Sequence, residues 1–154
     1  MNMKVPITKA VFDENDMAII QKPLQSGWVV QGPFVKEFEE KFAAFTGSRH
    51  ALAVSSCTTG LHIGTEALGF GPGDEVIVPA FTWVATANVV EYVGAKPVFA
   101  DIDLETFNID PAQFEARCTA KTKGAIPVHL FGLAADMDKI MATARQRNLK
   151  IIED

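Results

Sequence analysis

From residue 51 onward, hydrophobic positions recur in two rhythms. Short, largely apolar or β-branched stretches at 51–54, 75–78, 96–100, 122–129 and 149–152 read as strands. Between them lie segments of helical spacing. One follows the polar turn Ser55-Ser56-Cys57-Thr58-Thr59 and carries Leu61, Gly64, Thr65 and Leu68 on one face. A second covers 85–93 and stops at Gly94. A third begins at Asp110-Pro111, with Gln113 as capping-box partner. The last is opened by Asp136 and lined by Met137, Ile140, Met141 and Ala144. Upstream, 13–25 reads as a short helix broken near Pro23. Another amphipathic helix places Phe34, Phe38, Phe42 and Phe45 on a face expected to be core, with Glu37 and Lys41 as an ion pair opposite.

Alternating strands and helices mean crossover units, hence an α/β fold with a mainly parallel sheet covered on both faces. In such sheets ligands gather at the carboxyl ends of strands. That rule singles out 55–59, 79–83, 129–132, Glu153-Asp154, and the pair Asp101 and Asp103.

Composition narrows the class. The chain has 154 residues, 48% of them hydrophobic, enough for a real core. A net charge of −5 disfavours nucleic acid or an anionic membrane as principal partner. No run has the length of a bilayer span, and the start lacks the apolar core of a signal peptide. Cys57 and Cys118 lie far apart without metal-ligand spacing, which suits free thiols in the cytoplasm.

The turn at 55–59 leads into a helix whose first N–H groups lack intrahelical partners and carry partial positive charge. The amides and hydroxyls of Thr58 and Thr59 are therefore placed to hold a phosphate. Neither the glycine pattern of a dinucleotide site nor that of a P-loop is present. Trp83 near a strand end offers a plate for a flat ring, and Asp154 after an apolar strand offers a carboxylate to a cationic ring nitrogen. Together these match the needs of pyridoxal 5′-phosphate. Each has a plain alternative: a Ser/Thr cap that binds nothing, an indole in the core, a solvated end.

The run ALAVSSCTTGLHIGTEALGFGPGDEVIVPAFTWVATANVVEYVGAKPVFADIDLETFNID, with SGWVVQGPFVKEFEEKFAAFTG before it and PVHLFGLAADMDKIMATARQRNLKIIED after it, resembles the DegT/DnrJ/StrS nucleotide-sugar aminotransferases. The resemblance implies part of a fold type I pyridoxal-phosphate large domain. An amino-terminal arm and substrate-side loop would occupy 1–33, and the first part of the cofactor-binding domain 34–154. By position, the phosphate-binding segment falls on Ser56, Cys57 and Thr58, with Thr58 and Thr59 contacting phosphate. The stacking aromatic falls on Trp83 and the carboxylate facing the pyridine nitrogen on Asp154. Trp28 falls in the loop near the substrate. Cys57 stands where the family usually has glycine. The implied reaction moves an amino group, from an amino-acid donor such as glutamate, to a nucleotide-linked keto-sugar, in a homodimer. The family's Schiff-base lysine would lie beyond residue 154, so the chain is expected to be the amino-terminal portion of a longer enzyme and inactive alone.

Rival readings are a same-fold sugar dehydratase, a non-catalytic regulator, and a hydrolase using Cys57 with a depressed pKa and His129 as base. Asp101 and Asp103 resemble a metal-binding DxD pair, but strand alternation favours a hydrogen-bonded strand end.

Overall fold

The computed structural model describes residues 9–154; residues 1–8 of the expected arm lie outside the described residues. The chain forms two compact units, the first ending at Ala53 and the second running from Val54 to Asp154.

The first unit is built on two helices, α1 (Glu14–Ser26) and α2 (Pro33–Thr46). Asp13 caps α1 through a reciprocal box with Asp16, and Gly27, at φ 71°, ends it. The helix does not break at Pro23 but runs through it to Ser26. The proline falls in the last turn, where the Ser26 hydroxyl donates to its carbonyl (2.8 Å) and the Gly27 N–H donates to Leu24 O (3.2 Å). Two carbonyls of the last turn are thus served. Pro33 opens α2, Gly47 closes it in the left-handed region, and Lys41 pairs with Glu37 at 2.6 Å.

The phenylalanine stripe is not core. Phe38 and Phe42 stack at 5.7 Å between centroids, yet Phe38 is 57% exposed and Phe45 89%. Two helices supply no further layer over the stripe, and neither α1 nor α2 has a buried residue.

The second unit carries α3 (Cys57–Ala67), β1 (Glu75–Pro79), α4 (Ala85–Tyr92), β2 (Lys96–Ala100), α5 (Pro111–Arg117), β3 (Thr122–Ala125), α6 (Met137–Arg147) and β4 (Lys150–Ile151). The strands form one parallel sheet in the order β2-β1-β3-β4. Alternation along β1 sends Val76 and Val78 to one face and Ile77 to the other, all three fully buried. The first face packs on Leu61 of α3 and on Val89 and Val90 of α4. The second packs on Phe114 of α5 and Ile140 of α6. Each such side chain contributes about 1.5–3 kcal/mol by leaving water.

Residues 51–54 do not join the sheet as a strand. Extended backbone counts as a strand only when its N–H and C=O groups pair with a neighbour, and the Ala53 N–H goes instead to the Glu39 carboxylate at 2.8 Å. The expected strand at 122–129 is regular only to Ala125, because Pro127 has no N–H to give. Hydrogen bonding continues past it: Ile126 N–H donates to Ile77 O at 2.8 Å, and His129 N–H to Asp154 O at 2.9 Å.

Asp110 caps α5 as expected, but the capping box is not closed by Gln113. The Asp110 N–H donates to Asp101 O (3.0 Å), beside an Ile102–Ile109 antiparallel bridge. Asp103 accepts from the N–H groups of Glu105 and Thr106, both at 2.9 Å, which also holds its carboxyl below the usual range. Asp103 therefore forms a turn, while Asp101 pairs through its backbone carbonyl at the strand end. Among the described residues no cluster of three His, Cys, Asp or Glu could hold a metal, and no helix is long and apolar enough to cross a membrane.

Glycine is required where β3 meets β4. A Cβ at Gly124 would land on the Lys150 carbonyl oxygen and 2.5 Å from Phe70 Cζ, whereas one at Gly71 meets nothing nearer than 3.9 Å. Gly124→Ala should therefore lower unfolding free energy by about 1–3 kcal/mol, read by denaturant titration. Gly71→Ala should leave the midpoint nearly unmoved, and equal effects would refute the close approach.

Candidate functional site

The site begins with the helix start that the polar turn dictates. Ser56 adopts extended backbone, caps α3, and accepts from the Thr59 N–H at 3.2 Å. The Thr59 hydroxyl lies 3.0 Å from Ser56 Oγ and 3.3 Å from Ser55 Oγ. Since the cap takes the Thr59 amide, the amides of Cys57 and Thr58 are the donors left without an intrahelical acceptor. They lie at the positive end of an eleven-residue helix.

Asp154 reaches this helix from the far end of the chain. Its N–H donates to Pro127 O at 2.9 Å and its carbonyl accepts from His129 N–H at 2.9 Å. That pairing continues the β3–β4 ladder and fixes which way the side chain turns. Ile152, two residues earlier, packs against the α3/α4 core, so Asp154 faces the same way. Its Oδ1 takes the Cys57 S–H at 3.5 Å and its Oδ2 takes the Thr86 hydroxyl at 2.7 Å. One carboxylate thus joins the starts of α3 and α4 at the carboxyl end of the sheet.

Trp83 lies three residues before Thr86, in the turn between β1 and α4, and is 78% exposed. The plain alternative of a core indole is overturned. The turn from Pro79 to Thr82 leaves the indole outside, while Val89 and Val90 fill the core. Trp28, in the first unit, donates its indole N–H to Gln31 O at 2.6 Å and lies across Gly32. The structure therefore brings Ser56, Cys57, Thr58, Thr59 and Asp154 together, sets Trp83 in the neighbouring loop, and gives Trp28 a local role in its own unit.

Sequence reasoning missed Thr86. It lies in the first turn of α4, fully buried, four residues after Thr82. A hydroxyl among apolar neighbours on the inward face was the available signal. His129, singled out as a base, has both ring nitrogens engaged: Nδ1 accepts from Ala135 N–H at 3.1 Å, and Nε2 lies 2.9 Å from Glu153 Oε2.

The cysteine-hydrolase alternative fails on the same geometry. Desolvation first, then the hydrogen bond to Asp154 and the carboxylate charge, push the Cys57 thiol above its ordinary range, the opposite of an activated nucleophile. His129 pairs with Glu153 rather than with the sulfur.

The carboxyl end of this parallel α/β sheet thus carries an open helix start, an exposed indole in the neighbouring loop and an anchored carboxylate. The chain belongs to the DegT/DnrJ/EryC1/StrS aminotransferase family, whose model matches residues 11–154. It is 45% identical over 153 residues to the spore coat polysaccharide biosynthesis protein SpsC of Bacillus subtilis, covering 99% of this chain and 39% of that protein. It is 44% identical to GDP-perosamine synthase of Caulobacter vibrioides, covering 98% of this chain and 41% of that one. Its structure matches NtdA of Bacillus subtilis with bound cofactor PMP at a TM-score of 0.84 and 39% identity, over 89% of this chain and 32% of that chain. The chain thus spans about two-fifths of the length of its curated relatives.

The carboxylate beside Cys57 gives a direct test. Asp154→Asn removes the negative charge and the ionic acceptor, so the Cys57 pKa should fall. Alkylation of Cys57 at about pH 8 should then speed up, followed by mass spectrometry against Cys118 as internal reference. An unchanged rate ratio would show that the two side chains do not interact.

Proposed function

We propose that the full-length gene product is a pyridoxal-phosphate-dependent aminotransferase acting on a nucleotide-linked keto-sugar, with an amino acid such as glutamate as donor. The observation that carries this reading is the Asp154 carboxylate, held at the carboxyl end of the sheet against the start of α3. The polysaccharide and GDP-sugar roles in the names of the two curated relatives support the substrate class.

The donor set fits the cofactor. In this reading the open amides of Cys57 and Thr58, with the hydroxyls of Ser56, Thr58 and Thr59, hold the phosphate. The exposed indole of Trp83 covers one ring face, and Asp154 stands opposite the pyridine nitrogen. Pyridoxal phosphate, when bound, supplies an electron sink for the carbanion formed beside the amino group. The residues here do the rest of the work this stretch can do. Thr58 and its neighbours fix the anionic end. Trp83 excludes water from the ring face. Asp154 keeps a proton on the ring nitrogen by placing a negative charge against it.

The proposed division of roles assigns 1–33 to an arm and substrate-side loop containing Trp28, and 34–154 to cofactor binding. The protein would act in the cytoplasm as a homodimer.

Titrating the purified full-length gene product with pyridoxal phosphate, followed by its visible absorbance, tests the reading. Trp83→Ala should weaken binding by about three- to tenfold, the worth of one aromatic stacking contact. Asp154→Ala should weaken it further and shift the absorbance band. If neither substitution changes affinity or spectrum, the cofactor is not held here.

A further inference from the structure

We propose that Thr86 is a positioning residue for the cofactor carboxylate, aiming Asp154 through a hydroxyl relay that begins at Thr82. The inference rests on the reading that Asp154 faces the pyridine nitrogen, and it assigns a task to a side chain that touches no ligand in that reading.

The geometry leaves one arrangement of protons. Thr86 Oγ1 lies 2.7 Å from Asp154 Oδ2 and 3.2 Å from Thr82 Oγ1. A threonine hydroxyl has a single proton to donate, and a carboxylate oxygen can only accept. The Thr86 proton therefore points to Asp154, which obliges Thr82 to donate to Thr86. Each donation in such a chain polarises the next, so the hydroxyl facing Asp154 is a better donor than an isolated threonine.

Burial makes the aim rigid. Thr86 is fully buried, in the first turn of α4. A β-branched residue in a helix has few χ1 choices, and here its methyl is confined as well. The other carboxylate oxygen is held from α3 by Cys57. Asp154 consequently has one donor on each oxygen, from two helices on the same face of the sheet. The shorter contact, from the more buried group, fixes the plane of the carboxylate, and the 3.5 Å thiol contact is the weaker partner.

The test uses pyridoxamine 5′-phosphate added to the full-length gene product, with two readouts independent of turnover: affinity from quenching of tryptophan fluorescence, and the pH at which the bound ring nitrogen loses its proton, from absorbance. Thr86→Val keeps shape and removes the donor; Thr86→Ser keeps the donor and removes a methyl. Thr86→Val should weaken binding about tenfold, the order of one hydrogen bond to a charged group, and move the ring-nitrogen midpoint to lower pH. Thr86→Ser should retain the starting midpoint. In an Asp154→Asn background the two Thr86 variants should become indistinguishable in midpoint.

Loss of binding in both variants with the midpoint unmoved would mean that Thr86 serves only packing, and overturns the proposal. An unchanged Thr86→Val protein in which Asp154→Asn still lowers the midpoint would overturn the relay while leaving the cofactor reading intact. If Asp154→Asn itself moves neither affinity nor midpoint, the cofactor reading fails and the relay with it.

Discussion

The site depends on a piece of backbone pairing that outlasts the regular strands. Beyond Ala125 the chain cannot continue an unbroken ladder, because Pro127 lacks an N–H. Its carbonyl still accepts from Asp154, and His129 N–H still finds the Asp154 carbonyl. With Ile152 N–H bonded to Ala125 O, three hydrogen bonds set the register of the final residues. A slip of one residue would turn every side chain to the opposite face. Glu153 would then face the start of α3, and Asp154 would face His129. Which of two adjacent carboxylates serves the site is decided by this register and not by the residues' own chemistry.

The opposite face shows what the register costs and how it is stabilised. Glu153 pairs there with His129, whose Nδ1 takes the Ala135 N–H and so ties the following loop to the strand end. Asn108, almost fully buried, spends its amide on the same loop, accepting from Leu130 N–H at 2.9 Å and donating to Leu133 O at 2.8 Å. Between these anchors Phe131 is forced to φ 53° with its ring exposed. A non-glycine residue in that region carries strain on the order of 1–3 kcal/mol, and the loop keeps it because both ends are over-determined. The rigidity of the β3 end is thus shared between two faces of the sheet.

Legibility from sequence followed the range of the interaction involved. Ser56 and Asp110 caps, the αL glycines and the strand–helix alternation are local, and they were readable from residues within one turn of each other. The α3 start was readable for the same reason. The phenylalanine stripe of α2 was misjudged because spacing reports an apolar face but not what covers it. The strand at 51–54 was misjudged because a strand is a relation between two segments, and composition supplies only one. Thr86 offers only the signal of an inward hydroxyl, because its role depends on a residue 68 positions away. No pattern inside one helix distinguishes a threonine that bonds its own turn from one that reaches a distant carboxylate. Cys57 was readable as a thiol at a helix start, which by itself argues for a depressed pKa. Desolvation, joined by the hydrogen bond and charge of Asp154, reverses that sign.

Cys57 also shows how a substitution at a crowded helix start can be accommodated. A side chain at the first helical position would narrow the approach of an anion if it turned toward the open amides. Here it turns to Asp154, and the sulfur becomes a donor to the carboxylate rather than an obstacle in front of Thr58. The helix start keeps its unpaired N–H groups while its first side chain reaches the sheet. One residue thus links the start of α3 to the carboxylate at the end of the sheet.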